Sequence, residues 1–271
     1  MWLAVPSPWM DIPVPRPHVV IIGGFLTEPL FFGPMRERLL QRGAARVTVA
    51  GLHWPDWLAM GMVGMGPVML RGARAIRQAR RAAPDPLIVV GHSAGGLIAR
   101  LAMAPEPIDG RLAGVAGDVG CLVTLGTPYR FDPRIARWRH AGVRAAEFLE
   151  RVTPGAWFAP QTAYVSVGSR RVPPSPIRPS LSPGARGHVV TRVAVGQTPG
   201  GRGDGLVDEE RSRLPGARHV AFDDVLHGTF GGPWYGDAHV IDRWWPVALE
   251  AWRGALDARQ LAHPGVVSGQ F

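Results

Sequence analysis

Continuous apolar runs rich in β-branched residues recur along the chain: HVVIIGGF from His18, ARVTVAGL from Ala45, PLIVVGHS from Pro86, CLVTLGTP from Cys121, TAYVSVGS from Thr162 and ARHVAFDDV from Ala217. Runs this unbroken suit strands buried on both faces of a parallel sheet. HVVTRVAVG, from His188, reads as either a further strand or an extended connection. Between the runs, apolar positions at helical spacing predict helices over 34–43, 67–83, 95–103 and 240–256. Strand and helix therefore alternate, which predicts a mostly parallel, doubly wound α/β architecture. Two stretches depart from the alternation. Residues 130–160 read as one helix (135–152) with loop at both ends, a candidate cap or lid inserted after the strand Cys121 to Pro128. Residues 170–187 are a Pro/Ser/Arg-rich loop without the composition of a folded unit.

At 271 residues and 46% hydrophobic composition, the chain suits one domain, 1–271, with a sizeable core. Prolines break the apolar stretch MWLAVPSPWMDIPVPRP, which also has no cationic leader, so neither a signal peptide nor a membrane span is expected. The single cysteine, Cys121, excludes an intramolecular disulfide and is compatible with the cytoplasm. The net charge of +9 comes entirely from Arg. Lys and Asn are both absent, a bias that a GC-rich genome explains more simply than a nucleic-acid partner does. Arg71, Arg74, Arg77 and Arg81 share a helical face, read as solvated.

Gly91-His92-Ser93-Ala94-Gly95 follows the run PLIVV and leads into GLIARLAM. Gly-x-Ser-x-Gly arises by chance in a chain with 35 glycines; the strand before it and the helix after it are what give it weight. That setting is a nucleophile elbow, in which a tight turn lifts the Ser93 hydroxyl above the C-terminal edge of the sheet. The Ala94 N–H, at the helix start, is placed to face a developing oxyanion.

GHSAGGLIAR, LGTP and GDGLV, followed by a late histidine, resemble the lipase branch of the α/β hydrolases, which includes bacterial triacylglycerol lipases and the lecithin-cholesterol acyltransferase-like and PGAP-like enzymes. The similarity runs in order from His18 to about His227, and 91–100 is its specific part. The resemblance implies an α/β-hydrolase fold with nucleophile, acid and histidine in that chain order, and an esterase or lipase activity. It also implies a second oxyanion donor in the turn that ends the first central strand, Gly23-Gly24-Phe25-Leu26. Gly-Gly stands there in place of His-Gly or Pro-Gly; the donor is assigned to the Phe25 N–H, with Leu26 as the alternative.

The general base must reach Ser93 from a loop after the final strand. His227 follows that strand, whereas His219 begins it and lies at the wrong edge. His239 and His263 fall in or near the terminal helix, and His18, His53, His140 and His188 precede the positions the topology requires. His92 is the variable residue of the elbow and supports it from beneath. Gly200 to Gly205 lacks the Lys-Ser/Thr ending of a phosphate-binding loop. The resemblance instead implies that Asp204, in GDGLV, is the acid. Its competitors Asp208, Glu209 and Glu210 read as the solvated first turn of a short helix.

The Met/Trp-rich segment from Trp54 to Met69 should emerge at the active-site edge, where Trp57, Met62 and Met65 are candidates for acyl binding. Leu58, Met62, Met65 and Met69 also have helical spacing, so ordinary core burial is the stronger of the two readings; Trp157 and Phe158 in the expected cap present the same alternatives. After Gly126-Thr127-Pro128 comes Tyr129-Arg130-Phe131-Asp132, without the small residues common at this point in the lipases, which bears on cap geometry and chain-length preference. The reading is a serine hydrolase acting on a hydrophobic small-molecule ester, with no cofactor, no metal, no nucleic-acid partner and no stable membrane insertion. Two rivals stand beside it: acyl transfer or thioester cleavage by the same triad, and a catalytically silent binding protein of the same fold.

Overall fold

The computed structural model describes residues 15–132, 140–172, 201–229 and 231–262. Six strands form one parallel sheet: β1 (His18–Ile22), β2 (Arg46–Val49), β3 (Leu87–His92), β4 (Val119–Leu125), β5 (Ala163–Ser169) and β6 (Arg218–Phe222), in the order β2-β1-β3-β4-β5-β6. The six apolar runs thus supply the six strands. The run from His188 lies outside the described residues, as does most of the 170–187 loop.

Alternation along each strand feeds two cores. In β1, Val19 and Ile21 face one side with Met35 and Leu39 of α1 (Gly33–Gln41) and the tryptophans of the terminal helix. Val20 and Ile22 face the other side, with Val68 and Ile76 of α3 (Gly66–Arg81), Leu97 and Leu101 of α4 (Ala94–Met103) and Leu149 of α5 (Ala141–Val152). Burying apolar area on both faces, at about 25 cal/mol per Å², is the main force holding the layers together. The last helix, α7 (Ala238–Ala262), runs further at both ends than its periodicity predicts. Its three buried indoles each donate to a backbone carbonyl: Trp244 to Tyr235, Trp245 to Arg42 and Trp252 to Pro86. Large aromatic surface is buried there without leaving a polar N–H unmet.

Three segments take a definite form. The Met/Trp segment is helical, forming α2 (Trp54–Val63) and running into the start of α3. The described part of the expected cap, 140–160, carries α5 on the β4-to-β5 connection: α5 packs on α4 and buries Ala141, Ala145 and Leu149 in the main core, with Val143 and Val152 also buried. Residues 133–139, including the start of the predicted helix, lie outside the described residues. Trp157 and Phe158 sit beside Thr162 at the N-terminal end of β5, the sheet edge opposite Ser93, and so do not line the site. The arginine face of α3 is exposed as expected, and Arg71 reaches Asp56 of α2 at 3.0 Å. Among the described residues no helix is long and apolar enough to cross a membrane.

Strand order reverses between β1 and β3, because β1 sends its chain to β2 on one side while β3 continues to β4 on the other. In an open parallel sheet the crevice at such a reversal, at the carboxyl ends of the strands, is where ligands bind. The turns after β1 and β3 open there.

Candidate active site

Ser93 joins β3 to α4 in a left-handed conformation, φ 54° and ψ −127°. A non-glycine residue held there stores about 1–3 kcal/mol of strain, tolerated only when its surroundings over-determine it. They do. The Ser93 N–H donates to the Leu125 carbonyl at 2.8 Å, and the Ser93 carbonyl accepts from the Thr127 hydroxyl at 2.8 Å and the Gly96 N–H at 3.1 Å. The glycines are steric requirements: a Cβ on Gly95 would lie 2.1 Å from the Ile22 carbonyl oxygen, and one on Gly91 would lie 2.5 Å from the Gly96 Cα. Thr127, in LGTP, was not singled out from the sequence, because its contact with Ser93 spans 34 positions.

The turn after β1 abuts Ser93, since a Cβ on Gly24 would meet the Ser93 Cβ at 2.7 Å. Thr27 closes this turn through its N–H and hydroxyl, both donating to the Gly24 carbonyl, and Leu26 takes a left-handed φ of 59°. Among the described residues the N–H groups of Phe25, Leu26 and Ala94 serve no internal hydrogen bond. The Ala94 N–H is also one of the unpaired donors at a helix start, where partial positive charge gathers.

Asp204 and His227 meet at the same edge. His227 Nδ1 lies 2.8 Å from Asp204 Oδ2, and the His227 N–H donates to the Asp204 carbonyl at 2.9 Å. The other carboxylate oxygen accepts the N–H groups of Leu206 (3.0 Å) and Val207 (2.8 Å), a local turn made feasible by Gly205 at φ 102°. Burial opposes the charge on Asp204, but the interaction with His227 and the two backbone donors outweigh it and hold the carboxyl below its usual range. The ring nitrogen left for Ser93 is Nε2. Among the described residues no hydrogen bond joins Ser93 Oγ to this ring; such contacts commonly tighten only when substrate is bound.

Two further buried groups hold this pair, and neither was assigned a contact from sequence. His92 Nε2 lies 2.8 Å from the His227 carbonyl oxygen, and the two rings are 4.8 Å apart. Burial, then the neighbouring His227, pushes the His92 pKa down to about 3, so the ring is neutral and Nε2–H is the donor. Its support therefore reaches His227 rather than only the elbow. The Tyr235 hydroxyl donates to Asp204 Oδ2 at 2.8 Å.

Of the competing acids, Glu210 is exposed as expected, whereas Asp208 and Glu209 are buried. Asp208 stands at the N-cap position of the short helix α6 (Glu209–Ser212) and is buried 3.2 Å from Arg211, which also lies 3.6 Å from the buried Asp132. Glu209 is buried against His219 and Arg213. Ion pairing under the sheet edge, rather than exposure, relieves their repulsion. His219 in turn contacts Ser166 at 2.8 Å, away from Ser93. His188 and His263 lie outside the described residues.

The acyl-site candidates separate. Trp57 and Met65 are buried in the main core, with Trp57 edge-on to Phe25 at 5.9 Å, while Met62 is 85% exposed. Helical geometry explains the split, because one face of α2 carries Trp54, Leu58 and Met62 outward and the other packs inward. They do not form one wall. Among the described residues no cluster of three or more His, Cys, Asp or Glu side chains is arranged to hold a metal.

No protein-family model matches this sequence, and no curated protein does so either. Solved structures do. The mature form of the Bacillus licheniformis lipase BlEst2 superposes with a TM-score of 0.58 at 15% identity, covering 91% of this chain and 96% of that one. The propeptide form of the same lipase gives 0.57 at 16% identity, over 86% of this chain and 50% of that one. At such identity the likeness establishes architecture: the chain has the α/β-hydrolase fold.

Proposed function

We propose that the protein is a serine hydrolase that cleaves carboxylic esters with hydrophobic acyl groups, an esterase or lipase working through an acyl-enzyme on Ser93. The observation that carries this reading is the buried Asp204–His227 hydrogen bond of 2.8 Å, set at the sheet edge where Ser93 is held at φ 54°. In the reaction His227 Nε2 takes the Ser93 hydroxyl proton as Oγ attacks the carbonyl carbon. The carbonyl π electrons move onto oxygen, which the N–H groups of Phe25 and Ala94 receive. Collapse breaks the bond to the leaving alcohol, which His227 protonates; water then repeats the sequence and frees the acid. Asp204 fixes the tautomer and stabilises the imidazolium. The chemistry calls for no cofactor.

The likeness to a bacterial lipase supports the reading. So does the apolar surface of Trp54, Leu58 and Met62 on α2, whose start is tied to the turn after β1 by the Glu28 carboxylate, 2.9 Å from the Trp54 N–H. The test is labelling with a fluorophosphonate, then hydrolysis of p-nitrophenyl esters from acetate to palmitate. Ser93 should be the modified residue, and Ser93→Ala should lose labelling and lower kcat by about 10⁴- to 10⁶-fold. Labelling that survives in Ser93→Ala would overturn the assignment.

A further inference from the structure

Asp204 Oδ2 is shared. It receives His227 Nδ1 at 2.8 Å and the Tyr235 hydroxyl at 2.8 Å, while Oδ1 takes the two backbone N–H groups of its own turn. Tyr235 is fully buried and follows β6 by a long loop, tethered by the Trp244 indole, which donates to its carbonyl at 3.0 Å. A phenol has one proton to give, and this one goes to the same oxygen that supports the base. We infer that Tyr235 is a positioning residue that sets the strength of the acid–histidine pair: by donating to Asp204 Oδ2 it draws charge from that oxygen and limits how strongly the carboxylate favours the imidazolium form of His227. This rests on the reading of Asp204 and His227 given above.

The direction follows from electrostatics. Hydrogen bonds donated to a carboxylate stabilise its charged form and lower its basicity. Burial and the adjacent Asp204 charge push the Tyr235 phenol well above its ordinary pKa, so it stays a donor across the working range. The other groups facing the pair do not supply this role. His92, from β3, is neutral and bonds the His227 backbone rather than its ring; Glu209, from α6, acts on Tyr235 only at longer range and is engaged by Arg213 and His219. Without the phenol proton, Asp204 Oδ2 keeps more of its charge for His227, whose protonated form is then favoured.

The experiment is an NMR titration of the His227 ring in the full chain, its signal assigned by loss in His227→Gln, in wild type and in Tyr235→Phe. The His227 midpoint should rise in Tyr235→Phe by roughly half a pH unit or more, the scale of one neighbouring hydrogen bond lost. The acid limb of kcat/KM for p-nitrophenyl butyrate should move up with it. A folded Tyr235→Phe protein whose His227 midpoint coincides with that of wild type overturns the proposal. An isosteric probe covers the case in which that variant fails to fold: 3-fluorotyrosine, a more acidic phenol, should lower the His227 midpoint, and a midpoint that does not fall is equally fatal. A merely structural Tyr235 would not move these midpoints in opposite directions. Fluorophosphonate labelling of Ser93 is read separately, so loss of the hydrolase reading is distinguishable from loss of this one.

Discussion

Two regions meet at the C-terminal edge of the sheet and are built in opposite ways. Around Ser93, Asp204 and His227 each polar group of the acid–base pair with a defined contact is held by a named donor or acceptor, and the side chains are buried. On α2, three large apolar side chains face outward, and the helix is tied to its surroundings through its first turn by Glu28 and Asp56 and through the Arg71 pair. The first region is over-determined, as the geometry of the proposed reaction requires. The second leaves surface uncommitted, as a contact with a variable apolar group allows. Perturbing the first should alter rate and titration, and perturbing the outer face of the second should alter preference.

The largest expected effect tests which carboxylate serves the base. Asp204→Asn should keep the fold and lower kcat by roughly 10³- to 10⁴-fold, because an amide cannot hold the imidazole in the working tautomer. Asp208→Asn breaks a buried ion pair with Arg211, so it should lower the melting temperature while kcat stays within about tenfold of wild type. Asp132, 3.6 Å from Arg211, tempers that loss. Matched kcat and Tm measurements decide it, and a severe loss of kcat in Asp208→Asn alone would reverse the assignment.

Next comes the inward face of α2 and the start of α3. Met65→Ala should destabilise the protein by about 2–5 kcal/mol, as removal of a fully packed methionine does, and depress turnover on all ester lengths through lost folded protein. Met62→Ala, at an exposed site, should change stability by no more than about 0.5 kcal/mol. Chemical denaturation of the two variants separates core from surface within one short stretch of sequence.

A smaller effect lies in the pH dependence of stability. His92 has a folded-state pKa of about 3 against 6.5 for the free side chain. The unfolded chain therefore binds a proton that the folded one refuses, and the stability tied to neutral His92 is full above pH 6.5 and lost as pH falls toward 3. Asp204, with its lowered pKa, adds a loss at still lower pH, below the ordinary carboxylate range. Melting curves should show Tm dropping between pH 6.5 and 5, before the carboxylates titrate, and His92→Gln should flatten that part of the profile. Gln keeps a terminal N–H for the His227 carbonyl without a titrating ring. An unchanged slope in His92→Gln would remove His92 as its source.

These regions also divide what sequence could reveal. All six strands were legible because each is an unbroken apolar run, and Ser93 was legible because its motif sits between a strand and a helix. The resemblance carried by GDGLV pointed to Asp204, and a position just after the last strand pointed to His227. The residues that grip them were not legible: His92 reaches the His227 carbonyl across 135 positions, and Tyr235 reaches Asp204 across 31, with no local pattern to mark either bond. Asp208 was misjudged because sequence shows a run of acids but not Arg211 folded beneath it. The α2 helix was obscured by Gly61, Gly64 and Gly66, although its 3.6-residue spacing was present. Local grammar reveals elements and motifs, whereas long-range polar partners appear only once the layers are packed.

The smallest expected effect is the one most specific to the outer face of α2. Trp54, Leu58 and Met62 lie four residues apart, so they form one stripe, and the stripe starts where Glu28 ties α2 to the turn bearing Phe25. If the acyl chain of a bound ester leaves the site along this stripe, each methylene that gains contact contributes up to about 0.8 kcal/mol, and acetate gains nothing because it is too short to reach it. Leu58→Ser with Met62→Ser removes that contact without opening a core cavity. We expect kcat/KM for p-nitrophenyl octanoate and palmitate to fall severalfold while acetate turnover and Tm remain near wild type, because the stripe touches neither Ser93 nor the buried face of the helix. An equal fall on every chain length would place the acyl path elsewhere, and the contrast between a fixed reaction centre and an uncommitted apolar face would then have to be drawn around a different element.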